Sequence, residues 1–242
     1  MRWKTAITNV NDGQEIIRGQ SHDKLALEKS FTEVIFLILK GELPTEKEEK
    51  MMNTILVEMI DHGPGTASAL VTRITASTNT SLYSSVAAGL LALGGSRHGG
   101  ALGGAAKFFA ENINTEDLPG LLVELKFKKI YIPGFGHRVL KVDNRAETLL
   151  KAAKENGFFG KYSEFAIRVK EELNKVSSKS LPLNMDGANA AILLDMGFSQ
   201  KVIDGFFIIA RTPGLVAHAI EEAESGDGLR RLEEKDIEYI GK

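Results

Sequence analysis

Helix punctuation constrains this chain more than any other feature of its sequence. Ser30-Phe31-Thr32-Glu33 and Thr45-Glu46-Lys47-Glu48 both read as capping boxes, in which the hydroxyl takes an N–H three residues on and the glutamate returns the bond. The first opens a helix that Gly41 closes, with Pro44 beyond it. The second leads a helix whose Met51, Met52, Ile55, Leu56, Met59 and Ile60 form one stripe at helical period, which is a core face. Asp61-His62-Gly63-Pro64-Gly65 breaks it. Helical stretches follow over 66–78 and 81–93, rich in Ala and Ser where helices can approach closely. After the break Gly94-Gly95-Ser96-Arg97-His98-Gly99-Gly100, further helices are expected over 105–112, 119–125, 146–156, 163–176 and 186–196. Ser199 should cap a helix through Ala210, which Arg211-Thr212-Pro213-Gly214 kinks or splits before 215–223. Only the first thirty residues alternate, weakly, and they predict a short hairpin around Asn11-Asp12-Gly13. The expected class is therefore all-α, and any second lobe must be an insertion.

Charge and composition exclude several functions. With 43% hydrophobic and 26% charged residues among 242, the chain has the makeup of a globular protein with a substantial core. A net charge of −2 provides no basic field for nucleic acid or an anionic membrane, so an anionic ligand must be caught by locally placed arginines. The longest uninterrupted apolar run, 34–39, is too short to cross a bilayer, and the first five residues lack the apolar core of a signal peptide. The expectation is a cytoplasmic protein without a nucleic-acid or membrane partner. There is no cysteine, which removes disulfides, thiolate catalysis and cysteine metal sites.

The chemistry concentrates at the breaks. In Ile132-Pro133-Gly134-Phe135-Gly136-His137-Arg138, proline fixes one torsion and the glycines permit a tight turn with backbone N–H groups facing a ligand. A histidine that exchanges protons near neutrality and a guanidinium that holds an anion end the turn. His62, His98 and His137 all lie beside glycine at helix breaks, whereas His218 sits mid-helix, where a core-filling histidine is more common. Their spacing matches no short metal motif, so no metal is expected. Asp186, in Leu183-Asn184-Met185-Asp186-Gly187, is either a helix cap or an acid–base group. Arg73, Arg97, Arg138, Arg145, Arg211 and Arg231 are the candidates for gripping carboxylates, with Arg145 and Arg211 placed at turns and Arg73 read as a surface charge. No Walker-type glycine loop is visible.

Five ordered motifs carry a family resemblance: Asp61-His62-Gly63, His98-Gly99-Gly100-Ala101, Pro133 to Val139, Asn184-Met185-Asp186-Gly187 and Arg211-Thr212-Pro213-Gly214. Together they resemble the citrate synthase superfamily over nearly the whole chain. The closest resemblance is to short citryl-CoA lyases and to the citrate-synthase-like C-terminal module of ATP-citrate lyase, which the tail 228–239 also resembles. The long N-terminal helical region of full citrate synthases has no counterpart here. The resemblance implies a helical fold with a larger lobe, 1–97 with 199–242, and a smaller inserted lobe, 98–198, clasped around the ligand. It also implies a homodimer that completes each site from both chains, with Arg231 coming from the partner.

The implied roles are specific. His137 takes the proton of the tertiary hydroxyl of citryl-CoA, His98 stabilises the enolate oxygen of acetyl-CoA, and Asp186 protonates its carbon. His62, Arg138, Arg145, Arg211 and Arg231 bind the substrate carboxylates. Ile132, Gly134, Phe135 and Gly136 face coenzyme A with their backbone, and Lys128, Lys129 and Lys179 lie near its phosphates. Coenzyme A is then a substrate and product thioester and no cofactor is tightly bound. Acetyl-CoA and oxaloacetate are the other ligands, and citrate is activated on another chain, a citryl-CoA synthetase. Two features depart from typical citrate synthases. His98 is followed by Gly99-Gly100-Ala101-Leu102-Gly103-Gly104 in place of Gly-Gly-Ala-Asn-Glu, and the step from His137 to Arg145 is one residue shorter. The module of ATP-citrate lyase usually has an aromatic where this chain has His98. The competing expectations are a short citrate-synthase-like enzyme that condenses acetyl-CoA with oxaloacetate or acts on another 3-hydroxyacyl-CoA, and a non-catalytic assembly subunit that binds coenzyme A.

Overall fold

The computed structural model describes residues 2–11, 13–136, 143–177 and 179–241. His137 and Arg138 lie outside them. Three short strands come first, β1 (Thr8–Asn11), β2 (Gln14–Ile17) and β3 (Gln20–Ser21), followed by α1 (His22–Glu28), α2 (Phe31–Lys40), α3 (Glu46–Glu58), α4 (Ala67–Ser77) and α5 (Leu82–Leu93). Then come α6 (Gly100–Asn112), α7 (Leu118–Phe127), α8 (Asn144–Asn156), α9 (Lys161–Val176), α10 (Met185–Asp195) and α11 (Gln200–Glu224). The chain divides into two units, Met1–Val57 with Leu102–Ile203 and Glu58–Ala101 with Asp204–Lys242. This grouping differs from the lobes expected from the sequence in placing the first 57 residues with 102–203.

In the first unit, β1 and β2 form the expected hairpin, with Asn11 opposite Gln14, and β3 adds a third antiparallel strand. Among the described residues the named elements other than this sheet are helices. The capping boxes form as their sequence requires. Ser30 accepts from the Glu33 amide while Glu33 takes the Ser30 N–H at 2.8 Å, and Gly41 closes α2 in the left-handed region at φ 96°. At the start of α3, the Thr45 N–H reaches the Glu48 carboxylate at 2.8 Å. Met51, Met52, Ile55 and Met59 are fully buried, whereas Ile60, past the helix end, is exposed.

A cluster of aromatic rings fills the core under the glycine turn. Phe109 meets Phe135 edge-on at 6.0 Å and Phe165 at 6.2 Å. α10 lies against α8 and α9 and is buried on nearly every side, so its apolar residues show no stripe. The small residues of Gly187-Ala188-Asn189-Ala190-Ala191 let neighbouring backbone come close.

The second unit pairs α4 with α5 through small side chains. Ser68, Ala69, Thr72, Ala76 and Ser85 are buried, and a Cβ at Gly89 would stand 3.0 Å from the Ser68 carbonyl oxygen. Of the two outcomes expected for residues 211–214, a kink or a split, the split is overturned, because α11 runs unbroken through Pro213. One lost N–H and one crowded carbonyl are outweighed by what the same helix buries: Phe206, Phe207, Arg211, Leu215 and Ala219. α11 is also long and apolar enough on average to span a membrane, which counting only uninterrupted apolar runs does not reveal. α6 starts at Gly100, five residues before its sequence expectation. The glycines there lower helix propensity, but the helix buries Leu102, Ala105, Ala106 and Phe109.

Candidate functional site

The described candidate residues fall mainly into two groups of side chains, one in each unit. In the second unit the pivot is Arg211. It does not sit at a turn, as expected from Pro213-Gly214; it is a wholly buried residue of α11. Its Nε donates to the Met59 carbonyl at 2.9 Å, its Nη2 lies 2.9 Å from His62 Nδ1, and its guanidinium stacks over the Phe207 ring at 5.1 Å. A guanidinium only donates, so Nδ1 of His62 is the acceptor, and Nε2 carries the proton given to the Glu58 carbonyl at 3.2 Å. The Asp61-His62-Gly63 break is held from the other side. Asp61 accepts the Gly63 N–H at 2.9 Å and meets His218 Nε2 at 3.1 Å. Burial pushes the Asp61 carboxyl up, but these two partners outweigh it and hold it below the ordinary range. His218, which the sequence leaves as a core-filler, is the support of that loop.

His98 lies on the glycine turn that precedes α6. Its Nε2 is 2.9 Å from Ser68 Oγ and 3.3 Å from the Ser68 backbone nitrogen. An amide N–H can only donate, so Nε2 accepts and the proton of the neutral ring is on Nδ1. Burial, and then the charge of Arg211, lower its pKa from 6.5. The ring is thus neutral at pH 7 and can donate one hydrogen bond through Nδ1. Ser68 was not legible as a site residue, since nothing in the sequence ties it to a histidine 30 positions away.

In the first unit the glycine turn and the start of α10 are zipped together. The Asn184 amide donates to the Gly134 carbonyl at 3.0 Å, the Gly136 amide to the Pro182 carbonyl at 2.7 Å, and the Asn184 side chain to the Gly136 carbonyl at 3.1 Å. Tyr131 closes the loop by donating its hydroxyl to the Phe135 carbonyl at 2.6 Å. The expectation that the turn leaves its N–H groups to a ligand is therefore corrected at Gly136. Ile132 and Phe135 are buried, backbone and side chain together. Gly134 adopts φ 89°, and a Cβ there would stand 2.8 Å from Gly187 Cα.

The N-cap of α10 is Asn184, which takes the Gly187 N–H at 3.1 Å. Asp186 is the second helical residue and half-buried, so it is not the cap that its sequence position allowed. Partial burial, and then the Asp186 charge, raise the pKa of the Tyr131 hydroxyl. Arg145 is in the first turn of α8, not in a loop, and grips Asp143 with Nε and Nη2, both at 2.9 Å. Burial pushes the Asp143 carboxyl up, but the hydrogen bonds and charge of Arg145, with the Met185 amide, hold it below the ordinary range. Asp143 caps α8, and its partnership with Met185, 42 residues on, left no signal in the sequence.

The remaining described candidates lie outside these two groups. Lys128, Lys129 and Lys179 are exposed, and Lys128 pairs with Glu124 one turn back. Arg231 lines a cavity of about 810 Å³ with Leu70, Arg73, Ile74 and Glu221 of its own unit. Arg73 pairs with Glu221 and, at 2.8 Å, with Glu222, whose buried carboxylate also takes Arg230 at 2.5 Å. Arg230, then Arg73, hold the Glu222 carboxyl below its usual range against burial. Among the described residues, no three His, Asp or Glu side chains are placed to hold a metal ion.

Residues 44–232 match the family of the citrate synthase C-terminal domain. The structure is similar to that of citryl-CoA lyase from Hydrogenobacter thermophilus, with a TM-score of 0.92 and 44% identity over 99% of this chain and 95% of that one. It is also similar to ATP citrate lyase from Methanothrix soehngenii, solved in complex with citrate and coenzyme A, with a TM-score of 0.89 and 27% identity over 100% of this chain and 42% of that one. ATP-citrate synthase beta chain protein 1 of Arabidopsis thaliana is 34% identical over 208 residues, 78% of this chain and 34% of the relative. The chain thus spans about a third of the length of this relative.

Proposed function

For this chain, which belongs to the citrate synthase family, we propose the activity of a citryl-CoA lyase that cleaves citryl-CoA to acetyl-CoA and oxaloacetate. The observation that carries this reading is His98, a neutral imidazole fixed through Nε2 by Ser68, with its proton on Nδ1. Breaking the bond between the carbinol carbon and the methylene of citryl-CoA needs a base for the hydroxyl proton and a donor for the thioester oxygen. His137 takes that proton and the carbonyl of oxaloacetate forms. The electron pair of the broken bond passes to the enolate of acetyl-CoA, whose oxygen His98 Nδ1–H stabilises. Asp186, which enters this step in its neutral acid form, then protonates the enolate carbon, and the proton taken by His137 returns through solvent to the Asp186 carboxylate before the next turnover. A fixed donor aimed at such an oxygen is worth about 10²–10³ in rate. In this reading Arg138, Arg145, Arg211 and Arg231, with His62, hold the carboxylates, and the backbone of 132–136 and the lysines 128, 129 and 179 receive coenzyme A. A separate citryl-CoA synthetase as supplier and a homodimer as the working assembly belong to the same proposal.

The test is to incubate the purified protein with citryl-CoA alone, without ATP or metal. Oxaloacetate should appear in a malate dehydrogenase coupled assay, with acetyl-CoA in equal amount by chromatography. Citrate and free coenzyme A as the only products would overturn the lyase reading in favour of a hydrolysing, synthase-like one. The same three groups serve condensation, so oxaloacetate with acetyl-CoA is the companion assay that fixes the preferred direction.

A further inference from the structure

Asp143 is a buried carboxylate, 1% exposed, to which the reaction just described assigns no task. Its two oxygens collect four N–H donors. Oδ1 accepts from the Arg145 amide at 3.2 Å and from Arg145 Nε at 2.9 Å, and Oδ2 accepts from Arg145 Nη2 at 2.9 Å and from the Met185 amide at 3.2 Å. Capping a helix needs one oxygen, and Ser, Asn or Thr supplies it as well as Asp does. Docking a guanidinium in parallel and holding a second helix at the same time needs both oxygens of an ionised carboxylate. Met185 is the first residue of α10, so the second helix is the one that carries Asp186. Its first-turn N–H groups have no partner within the helix, and Asp143 supplies one from α8.

We propose that Asp143 is a positioning residue that ties the Arg145 guanidinium and the N-terminus of α10 to one carboxylate, and so sets the place of a substrate carboxylate relative to Asp186. This rests on the roles given above to Arg145 and Asp186. Asparagine at this position offers one acceptor where two are used, and its NH₂ then faces a donor. Serine keeps the cap of α8 but spans neither the guanidinium fork nor Met185. A displacement of about 1 Å in such a constellation costs about 10²-fold in rate.

The experiment compares wild type with Asp143→Asn and Asp143→Ser in the full chain. Calorimetry reads oxaloacetate and coenzyme A binding, and kinetics reads kcat and KM for citryl-CoA. Both variants should lose about tenfold or more in oxaloacetate affinity and in kcat, with coenzyme A affinity within about twofold of wild type. In an Arg145→Gln background, Asp143→Asn should add less than about a twofold further loss of oxaloacetate affinity, because the two residues act as one unit. Wild-type values in Asp143→Ser would show that capping is the whole role and overturn the proposal. So would parallel losses in oxaloacetate and coenzyme A binding that add independently of Arg145. Should the Asp143 variants not fold, Arg145→Lys keeps the charge but not the fork, and unchanged oxaloacetate affinity in it also overturns the proposal. A wild type that binds oxaloacetate without cleaving citryl-CoA would remove the lyase reading and leave Asp143 to be decided by the binding data alone.

Discussion

Gly187→Ala separates two effects that a glycine in a helix normally mixes. Replacing a helical glycine with alanine gains about 1 kcal/mol of propensity where the new methyl meets nothing. Gly205, inside α11, is such a place, with no atom within 4 Å of a built Cβ. At Gly187 the methyl would overlap the Gly134 carbonyl oxygen and approach Leu183 Cδ1 to 2.6 Å and Gly134 Cα to 3.0 Å. Two of those three contacts are backbone, so the turn must move by roughly an ångström for the contacts to relax. Overpacking of this kind costs about 1–3 kcal/mol. The net result is about 0–2 kcal/mol lost at Gly187 against about 1 kcal/mol gained at Gly205. In a chain of this size each kcal/mol moves Tm by about 2–4 °C, which places the two variants up to about 12 °C apart. Activity should diverge further, since the displaced turn adjoins Asp186, and about 10²-fold is expected from a shift of that size. Differential scanning calorimetry and the coupled citryl-CoA assay measure both quantities. Equal stability and equal turnover in the two variants would refute the argument that the turn and α10 are held in backbone contact.

Two further predictions concern ionisable groups. Asp186→Asn leaves the Asn184 cap in place and removes one charge from the first turn of α10. It should cost about 0.3–1 kcal/mol in stability through the helix dipole, but about 10² or more in turnover. A large loss of stability with turnover kept would make Asp186 structural. His98 has its folded pKa lowered from 6.5, so the unfolded chain takes up a proton that the folded one resists. Stability should therefore fall as pH drops below about 6.5, levelling off below the folded value, and His98→Gln should flatten the Tm profile between about pH 7.5 and 5.5. Identical profiles in wild type and variant would show that His98 is not shielded in the way its burial and Arg211 imply.

Local chemistry made much of this protein readable without coordinates. Capping boxes, the Gly41 terminator, the hairpin at Asn11 and the stripe of Met51, Met52, Ile55 and Met59 are interactions between residues a few positions apart, so their sequence patterns specify them directly. Placement of His62 and His98 at glycine breaks was legible for the same reason. Arg211 shows where that logic ends. Proline at 213 argued for a kink or a split, and burial of the residues on either side along α11 decided against the split. Asp186 looked like a cap because aspartate before a helix often is one, and the hydrogen bond from Gly187 to Asn184 settles the cap two residues earlier. What only the tertiary structure decided are the long-range hydrogen bonds: Ser68 to His98, Asp61 to His218, His62 to Arg211, and Asp143 to Met185. Each joins residues from 30 to 157 positions apart, and each fixes a proton, a tautomer or a charge. A sequence shows which residues can form such bonds. Which of them meet depends on how helices that share no local pattern come to bury the same core.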